Sequence, residues 1–412
     1  RERKCFNEDF LNYLANFKFT GDIWAVPEGT PIFPREPIIT VRAPAIQAQL
    51  VETYLLLQIN HQSLIATKAS RICRAAQGLT VLEFGSRRAQ GADAAILGAR
   101  AAYIGGCHGT ACTISDQLYG VHAGGTMAHA WVQMFDSEYE AFKAYVKMFP
   151  NNATLLVDTY NTLKSGVPNA IRAFNEVLKP MGITKCGIRL DSGDLAYLSK
   201  EAKKMLDAEG FTDAVISASN DLDEGLISSL KNQGAAINSW GVGTNLITSK
   251  DCPSFGGVYK LAAIKDKATG KFIPKIKLSE NEEKITNPGN KTIYRIYSRD
   301  SHKIIADLIC LVGETYDENN SLLLFDPVAT WKKTLLAPGT YTMKEIMVPI
   351  FKDGVCVYHS PKVMEIREYC KKELDTLWDE TKRLVNPHEV HVDLSNELWH
   401  MKTRLLDAYH FE

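Results

Sequence analysis

Charged residues are concentrated in one short turn near the middle of the sequence. Arg189, Asp191 and Asp194 fall close together, directly after an apolar run. Arginine binds phosphate well, and carboxylates bind ribose hydroxyls or Mg²⁺. The alternative is a capped turn, in which Asp191 or Ser192 begins the next helix. So many charges in one turn favour a ligand site over a simple cap.

An aromatic residue and a cation lie close together after an earlier apolar run. Phe84 can stack on a planar ring, and Arg87 can neutralise an anionic substituent on that ring. A buried phenylalanine that closes a strand beside solvated arginines would have the same sequence. For this motif alone, the simpler interpretation is favoured.

His129 follows a turn of small residues that includes Thr126. A histidine can act as a nucleophile, a general base or a metal ligand, although a lone histidine is more often structural. The spacing of the nearby thiols and imidazoles matches no zinc motif, so no zinc site is predicted here. These side chains are Cys107, His108, Cys112 and His122.

A glycine-containing turn follows another apolar run. Gly241 and Gly243 are followed by Thr244 and Asn245. Glycine allows the backbone to approach a ligand closely, and free N–H groups in such a turn can hold a phosphate. A plain tight turn explains the two glycines equally well. The segment is neither a Walker loop nor a complete dinucleotide-binding motif, so both interpretations stay open.

Short apolar runs alternate with amphipathic helices from residue 79 to about residue 261. The candidate strands are 80–84, 154–157, 187–190, 214–217 and 237–242, and the candidate helices, each ending near a glycine, are 169–178, 196–208 and 224–231. This alternation predicts parallel strands joined by right-handed crossovers, in an open sheet or in a (β/α) barrel. Polar residues such as Asp158 and Asn220 follow the strands, which favours the barrel, since its chemistry occurs at the carboxyl ends of the strands.

The flanking regions have other patterns. Residues 22–44 are typical of strands and turns, and residues 45–78 of long helices. After residue 262, β-like runs at 292–297 and 303–313 predict a β-rich second domain. Residues 361–384 predict a charged amphipathic helix in a helical C-terminal piece.

Composition limits the class of protein. The net charge of -1 lacks the basic excess that non-specific binding to nucleic acid requires. Nine cysteines without a CxxC pair fit reduced thiols in the cytoplasm. No apolar run approaches the ~20 residues that span a bilayer, and no signal peptide is recognised. Because the sequence begins with Arg1 and no methionine, we expect the native N-terminus to lie outside it.

Taken together, these motifs resemble the nicotinate phosphoribosyltransferase family over nearly the whole chain. The segments that carry the resemblance are 17–23, 27–30, 64–69, 83–91, 125–129, 158–160, 189–194 and 386–389. Segments of this length in this order are specific to the family.

The resemblance implies an enzyme of NAD salvage in the Preiss–Handler pathway. Such an enzyme joins nicotinate to 5-phosphoribosyl-1-pyrophosphate and releases nicotinate mononucleotide and pyrophosphate. ATP is a co-substrate through a phosphorylated histidine, which matches His129, and Mg²⁺ is the cofactor. The implied assembly is a homodimer with shared active sites, without nucleic acid or membrane partners.

The resemblance also implies a fold and its domains. The fold is α/β, with an irregular (β/α) barrel, a mixed α/β sandwich domain and a helical C-terminal extension. Residues 1–78 are expected to form an N-terminal helix and strands of the sandwich domain that lead into helices. The barrel is expected at 79–262, further sandwich strands at 263–330, and the C-terminal extension at 331–412.

Residue roles follow from the same resemblance. The expected catalytic residues are His129, Arg189 and Asp191, and the expected Mg²⁺ ligands are Asp158 and Asp191. The expected substrate contacts are Phe84, Arg87, Thr126, Asn220, Gly241, Gly243, Thr244 and Lys260.

The sequence departs from the family pattern in places. The family commonly has Phe and Asp where this chain has Cys107 and His108. Cys112 stands where nicotinamide enzymes carry an acid, and the lack of repulsion there favours nicotinate. The family's N-terminal stretch, with a tyrosine that reaches the partner's site, is absent from this sequence.

Other functions stay open at this level. A nicotinamide phosphoribosyltransferase and a non-catalytic metabolite-binding homologue are the closest alternatives. An aldolase or isomerase barrel would need a Schiff-base lysine or a central general base, and no lysine ends a candidate strand before Lys260.

Overall fold

The computed structural model describes residues 2–280, 285–327, 329 and 331–410. The chain divides into two compact units. The parallel-sheet unit comprises Gln58–Gly256 and Lys362–Glu368, and the mixed-sheet unit comprises Arg1–Leu57, Gly257–Pro361 and Tyr369–Glu412.

Helices occur in both units. The α-helices of the described residues are α1 (Glu8–Ala15), α2 (Ala45–Leu50), α3 (Glu52–Ala76), α4 (Ala92–Ile104), α5 (Thr113–Tyr119), α6 (His129–Gln133), α7 (Glu138–Met148), α8 (Val167–Ala173), α9 (Leu195–Ala208), α10 (Glu224–Asn232), α11 (Thr244–Ile247), α12 (Val363–Asp375) and α13 (Asn396–His410). Among these residues, no helix combines the length and the apolar composition needed to cross a membrane.

Strands also occur in both units. They are β1 (Asp22–Ala25), β2 (Ile39–Arg42), β3 (Thr80–Glu83), β4 (Gly109–Thr110), β5 (Thr154–Leu156), β6 (Gly187–Leu190), β7 (Val215–Ala218), β8 (Ser239–Val242), β9 (Ala263–Lys265), β10 (Phe272–Pro274), β11 (Lys291–Ser298), β12 (Ile304–Leu311), β13 (Leu322–Phe325), β14 (Lys333–Leu336), β15 (Tyr341–Glu345), β16 (Val348–Lys352), β17 (Val355–Cys356) and β18 (His391–Leu394).

One six-stranded sheet organises the parallel-sheet unit. Its order is β4-β3-β8-β7-β6-β5, and every neighbouring pair is parallel. Residues such as Ile188, Ile216 and Trp240 are fully buried, as expected for parallel strands covered on both faces. The predicted parallel sheet is confirmed. Each predicted strand occurs within two residues of its expected ends.

The helices of this unit differ from the prediction in one place. The helix expected at 169–178 begins earlier as α8 and continues after Ala173 in a wider π-helical turn, Phe174–Leu178. The chain then reverses at Gly182, whose φ of 69° is the left-handed conformation that glycine adopts at helix ends. Gly182 correctly predicted where this helix ends. The change from α-helical to π-helical hydrogen bonds within the helix depends on packing.

The mixed-sheet unit contains two larger sheets and the short β9–β10 hairpin. A four-stranded sheet has the order β17-β16-β1-β2, and a six-stranded sheet has the order β14-β13-β18-β12-β11-β15. The pair β12 and β18 is parallel, and the other paired strands of the six-stranded sheet are antiparallel. Ile296, Leu308 and Tyr341 lie in the core of this unit.

The C-terminal region is less helical than expected. The helix predicted at 361–384 ends at Asp375 as α12. The backbone N of Ile304 donates to Thr376 O at 2.9 Å, and the indole N–H of Trp378 donates to Ile304 O at 2.7 Å. The segment after α12 therefore bonds to the start of β12 instead of continuing the helix. Residues 331–412 also supply β14 to β18, so this region is not a purely helical extension.

Candidate active site

Polar residues collect at the carboxyl edge of the parallel sheet, because all of its strands point the same way. The predicted residues reach this edge from β3, β5, β6, β7 and β8. They are Phe84 and Arg87 after β3, Asp158 after β5, Arg189 and Asp191 in and after β6, Asn220 after β7, and Gly241, Gly243 and Thr244 in and after β8.

Two aspartates lie together where the adjacent strands β5 and β6 end, at one side of the sheet. The backbone N of Asp191 donates to Asp158 Oδ2 at 3.0 Å, and Ser192 Oγ donates to the same oxygen at 2.6 Å. Ser219 Oγ donates to Asp191 Oδ1. Asp158 Oδ1 is buried and has no hydrogen-bond partner among the described residues. A buried carboxylate oxygen without a donor fits a cation.

The N-cap of α9 decides between the two interpretations of the turn at residues 189–194, a ligand site and a helix cap. Asp194, not Asp191 or Ser192, is the N-cap, and its side chain accepts a hydrogen bond from Tyr197 N at 3.0 Å. The alternative interpretation, a cap at Asp191 or Ser192, is therefore wrong, because Asp194 provides the cap. Asp191 instead faces the neighbouring strands.

His129 begins α6 beside the aspartates. Its Nδ1 lies 3.0 Å from Thr159 Oγ1, and its Nε2 lies 3.7 Å from Asp191 Oδ2. The imidazole is 41% exposed, so a soluble ligand can reach it. Both ring nitrogens thus have neighbours that orient the ring.

Arg189 is a half-buried cation of the site. Its Nη1 donates to Thr126 Oγ1 at 2.5 Å, whereas its Nε is buried without a partner among the described residues. Burial lowers the pKa of Arg189, and the cation of Arg87 adds to this effect, while Asp191 and Asp158 oppose it. An anionic ligand would satisfy the unpaired N–H and offset part of the cost of burial.

Phe84 lies against the glycine turn of β8. The backbone N of Phe84 donates to Val242 O at 2.7 Å. A Cβ on Gly241 would stand only 2.5 Å from Cδ2 of the Phe84 ring, so the ring occupies the space that a side chain would need. Arg87 follows in the short 3₁₀ turn Ser86–Arg88 and is exposed. An aromatic face and a cation thus lie on the same loop.

Comparison with known proteins identifies the family. The model of the nicotinate phosphoribosyltransferase N-terminal domain matches residues 1–60, and that of the C-terminal domain matches residues 290–402. The chain is 46% identical over 399 residues to the nicotinate phosphoribosyltransferase of Bacillus subtilis, covering 96% of this chain and 80% of that protein. The chain belongs to the nicotinate phosphoribosyltransferase family.

Two further proteins support this nicotinate phosphoribosyltransferase assignment. A nicotinate phosphoribosyltransferase of Mycobacterium tuberculosis is 38% identical over 382 residues, covering 92% of this chain and 74% of that protein. The crystal structure of human nicotinic acid phosphoribosyltransferase matches with a TM-score of 0.83 at 26% identity, over 97% of this chain and 85% of that one. The resemblance recognised in the sequence is confirmed.

Some of the predicted site residues have no contact with the aspartates, His129 or Arg189 among the hydrogen bonds described above. Lys260 is exposed and belongs to the mixed-sheet unit, so its proposed phosphate contact stays a prediction. Asn220 is exposed and adopts a φ of 100°, a left-handed conformation that costs energy in a residue with a side chain. Asn245 supports this loop, since its Nδ2 donates to Asp221 O at 2.7 Å.

Among the thiols and imidazoles near β4, the His108 imidazole has a backbone partner. Cys107 and Cys112 are buried, and His108 Nδ1 accepts from Val81 N at 3.2 Å. Burial lowers the pKa of His108, and the cation of Arg367 adds to this effect. Within the described ranges, no three His, Cys, Asp or Glu side chains are grouped as metal ligands.

Sequence reasoning missed the residues that orient the site. Thr159, Ser192 and Ser219 position the imidazole and the two aspartates, and Glu83 is a fully buried carboxylate at the end of β3. The available signal was their adjacency to predicted site residues. Hydroxyl residues are so frequent in loops that adjacency alone does not identify a partner.

Proposed function

We propose that this chain transfers the 5-phosphoribosyl group of phosphoribosyl pyrophosphate to nicotinate, in a reaction coupled to ATP hydrolysis. The products are nicotinate mononucleotide and pyrophosphate, and the reaction belongs to NAD salvage. Family membership supports the transfer. The observation that carries the proposal is the meeting of His129, Asp158, Arg189 and Asp191 at one edge of the parallel sheet.

The pyridine partner requires positioning more than activation. Its ring nitrogen is already a nucleophile, so no strong base is needed. Phe84 offers a stacking face and Arg87 a cation for the carboxylate of nicotinate. The residue at position 112 is a buried cysteine, so no carboxylate side chain at this position repels that of nicotinate.

The phosphoribosyl partner creates opposite charges during transfer. Positive charge develops on the ribose as the bond to pyrophosphate breaks, and negative charge develops on the leaving oxygens. In this proposal the carboxylate of Asp191 would stabilise the ribose, and the unpaired Nε–H of Arg189 would bind a phosphate. The turn at Gly241, Gly243 and Thr244 allows a close backbone approach to the 5-phosphate.

Asp158 and Asp191 are the residues that would hold Mg²⁺. The buried, unpartnered Oδ1 of Asp158 fits this cation, and Mg²⁺ characteristically takes one or two carboxylates together with substrate phosphates and water. When bound, Mg²⁺ neutralises the charge that develops on pyrophosphate.

The finer architecture belongs to the same proposal. We infer an irregular barrel, because an isolated parallel bridge joins Thr110 to Ala123 beyond β4, and Arg189 of β6 bonds to Thr126 after it. The segment after Ala123 would close the sheet between β4 and β5. A homodimer with shared sites, the phosphate contact of Lys260 and a cytoplasmic location stay predictions from the family.

The function is tested by assaying the protein with both pyridines. Nicotinate, phosphoribosyl pyrophosphate, Mg²⁺ and ATP are expected to yield nicotinate mononucleotide and pyrophosphate, measured by chromatography. Product from nicotinamide alone would reject the substrate, and binding of nicotinate without turnover would support a non-catalytic homologue.

The coupling to ATP is tested at His129. In His129→Ala, ATP hydrolysis during turnover is expected to fall to background, because the nitrogen that would carry the phosphoryl group is absent. Exposed His122 provides the matched control, and His122→Ala should keep the wild-type ratio of phosphate to mononucleotide. Unchanged hydrolysis in His129→Ala would remove this residue from the coupling.

A further inference from the structure

A carboxylate lies in the protein interior directly before the residue proposed to bind the pyridine ring. Glu83 is 0% exposed at the end of β3. Burial raises the pKa of Glu83, although hydrogen bonds from Thr110 and Gly85 oppose this effect. An ionisable group is costly to bury, so its partners indicate what it contributes.

Both carboxylate oxygens of Glu83 accept hydrogen bonds from different loops. The backbone N of Gly85 donates to Oε1, and Thr110 Oγ1 donates to Oε2 at 2.6 Å. The Thr110 hydroxyl in turn accepts from the backbone N of Cys112 at 2.9 Å. A continuous chain of hydrogen bonds therefore runs from the loop after β3 to the loop after β4.

The backbone pairs β3 with β4 over only two residues. Strand β4 comprises only Gly109 and Thr110, and Ala111 N donates to Glu83 O at 2.9 Å just beyond it. The loop after β3 is tightly packed at Gly85, where a Cβ would stand 2.5 Å from Ile247 Cβ. The Glu83 carboxylate thus adds a side-chain link at the point where the sheet ladder ends.

We propose that Glu83 and Thr110 are positioning residues that set the distance between the Phe84 loop and the Cys112 loop, and thereby the fit of the nicotinate ring. The inference rests on the proposed function, in which the ring lies at Phe84 and its carboxylate faces Arg87 and position 112. Neither side chain needs to touch the substrate. Each acts through the backbone N–H group that it holds.

The hydrogen bond between Glu83 and Thr110 predicts that its loss affects the binding of only one substrate. The aspartates proposed to bind the phosphoribosyl partner follow β5 and β6, and their own contacts come from Ser192 and Ser219. Loss of the link should therefore weaken nicotinate binding and leave phosphoribosyl pyrophosphate binding nearly unchanged. A purely structural role would lower thermal stability and the active fraction without this split.

The central experiment measures both KM values in Thr110→Val. Valine has the shape of threonine but removes the hydroxyl, so Glu83 Oε2 and Cys112 N lose their partner. We expect the KM for nicotinate to rise about tenfold and that for phosphoribosyl pyrophosphate to change less than about twofold. Thr110→Ser, which keeps the hydroxyl, should restore most of the nicotinate affinity.

A second variant tests the carboxylate itself. In Glu83→Gln, one of the two donors must face an amide NH₂ group, so the same selective rise in the nicotinate KM is expected. Thr113→Val is the matched control, because Thr113 is exposed in the same segment. This control should keep both wild-type KM values.

The outcomes separate the two proposals. A wild-type protein that forms no nicotinate mononucleotide contradicts the proposed function. An active wild type whose Thr110→Val and Glu83→Gln variants keep the nicotinate KM, or raise both KM values equally, overturns the positioning role. A selective rise in the nicotinate KM with rescue by Thr110→Ser supports it, even if one of the variants fails to fold.

Discussion

At the scale of single residues, Gly241 leaves space that the proposed ring-binding residue uses. The Phe84 ring lies where a Cβ on Gly241 would stand, at 2.5 Å from Cδ2 and 2.6 Å from Cε2. Overlap this close requires one group to move, and the ring is the more mobile of the two. The sequence suggested a phosphate turn here, whereas the structure adds a steric reason for the glycine.

Gly241→Ala is therefore expected to displace the Phe84 ring. We predict a rise of about tenfold in the KM for nicotinate, because stacking depends on the position of the ring. Steady-state kinetics measures this change. Gly256→Ala is the control, since a Cβ at Gly256 meets no atom within 4 Å and should leave the KM unchanged. A wild-type KM in Gly241→Ala would contradict the proposed stacking.

At the scale of elements, one arginine of α12 closes the end of α4. Arg367 Nη2 donates to Gly106 O at 2.9 Å, and its Nη1 donates to the carbonyls of Tyr103 and Cys107. The last carbonyls of a helix have no partner within that helix, and a cation there also interacts favourably with the helix dipole. This contact explains why residues 362–368 belong to the parallel-sheet unit.

Arg367→Ala should lower the free energy of unfolding by roughly 2 kcal/mol, because charge-assisted hydrogen bonds to several carbonyls are lost. Urea denaturation monitored by circular dichroism measures this loss. Arg367→Lys should recover only part of it, since an ammonium lacks the planar fork of donors. Exposed Glu368 gives the control Glu368→Ala, with stability close to wild type. A stable Arg367→Ala would show that water satisfies these carbonyls equally well.

At the scale of the whole molecule, a buried charge cluster affects global stability. Arg295 is 0% exposed, and its Nε and Nη2 donate to the two oxygens of Asp307 at 2.9 and 2.7 Å. Glu36 Oε1 lies 4.0 Å from Arg295 Nη2. Burial, together with the neighbouring Asp307, raises the pKa of Glu36 to about 10. Glu36 is therefore protonated in the folded protein at neutral pH.

This protonation predicts how stability depends on pH. The unfolded chain releases the Glu36 proton above its usual pKa of 4.5, whereas the folded protein keeps it up to about 10. The contribution of Glu36 to the free energy of unfolding therefore falls as pH rises between these values. Glu36→Gln, which stays neutral, should lose less stability between pH 6 and pH 9 than the wild type.

Urea denaturation at the two pH values measures the difference. Exposed Glu389 provides the control, and Glu389→Gln should keep the wild-type pH dependence. An equal change in the free energy of unfolding between pH 6 and pH 9 for the wild type and Glu36→Gln would mean that Glu36 is ionised in the folded protein.

The sequence alone determined the features that depend on residues adjacent to one another along the chain. Apolar runs predicted five of the six strands of the parallel sheet, but not the two-residue strand β4. Glycines predicted the ends of helices, and ordered motifs identified the family. Each of these signals is local, because a buried parallel strand is apolar along its own length and a left-handed helix end favours glycine at that position.

Only the tertiary structure decided which side chains meet. The contact of His129 with Asp191, the link from Glu83 to Thr110 and the clamp of Arg367 on α4 join residues far apart in the chain. α12 ends at Asp375, and the following segment bonds through Trp378 to Ile304, which is distant in the sequence. Such pairings depend on packing in three dimensions, and the spacing of residues along one sequence does not record them.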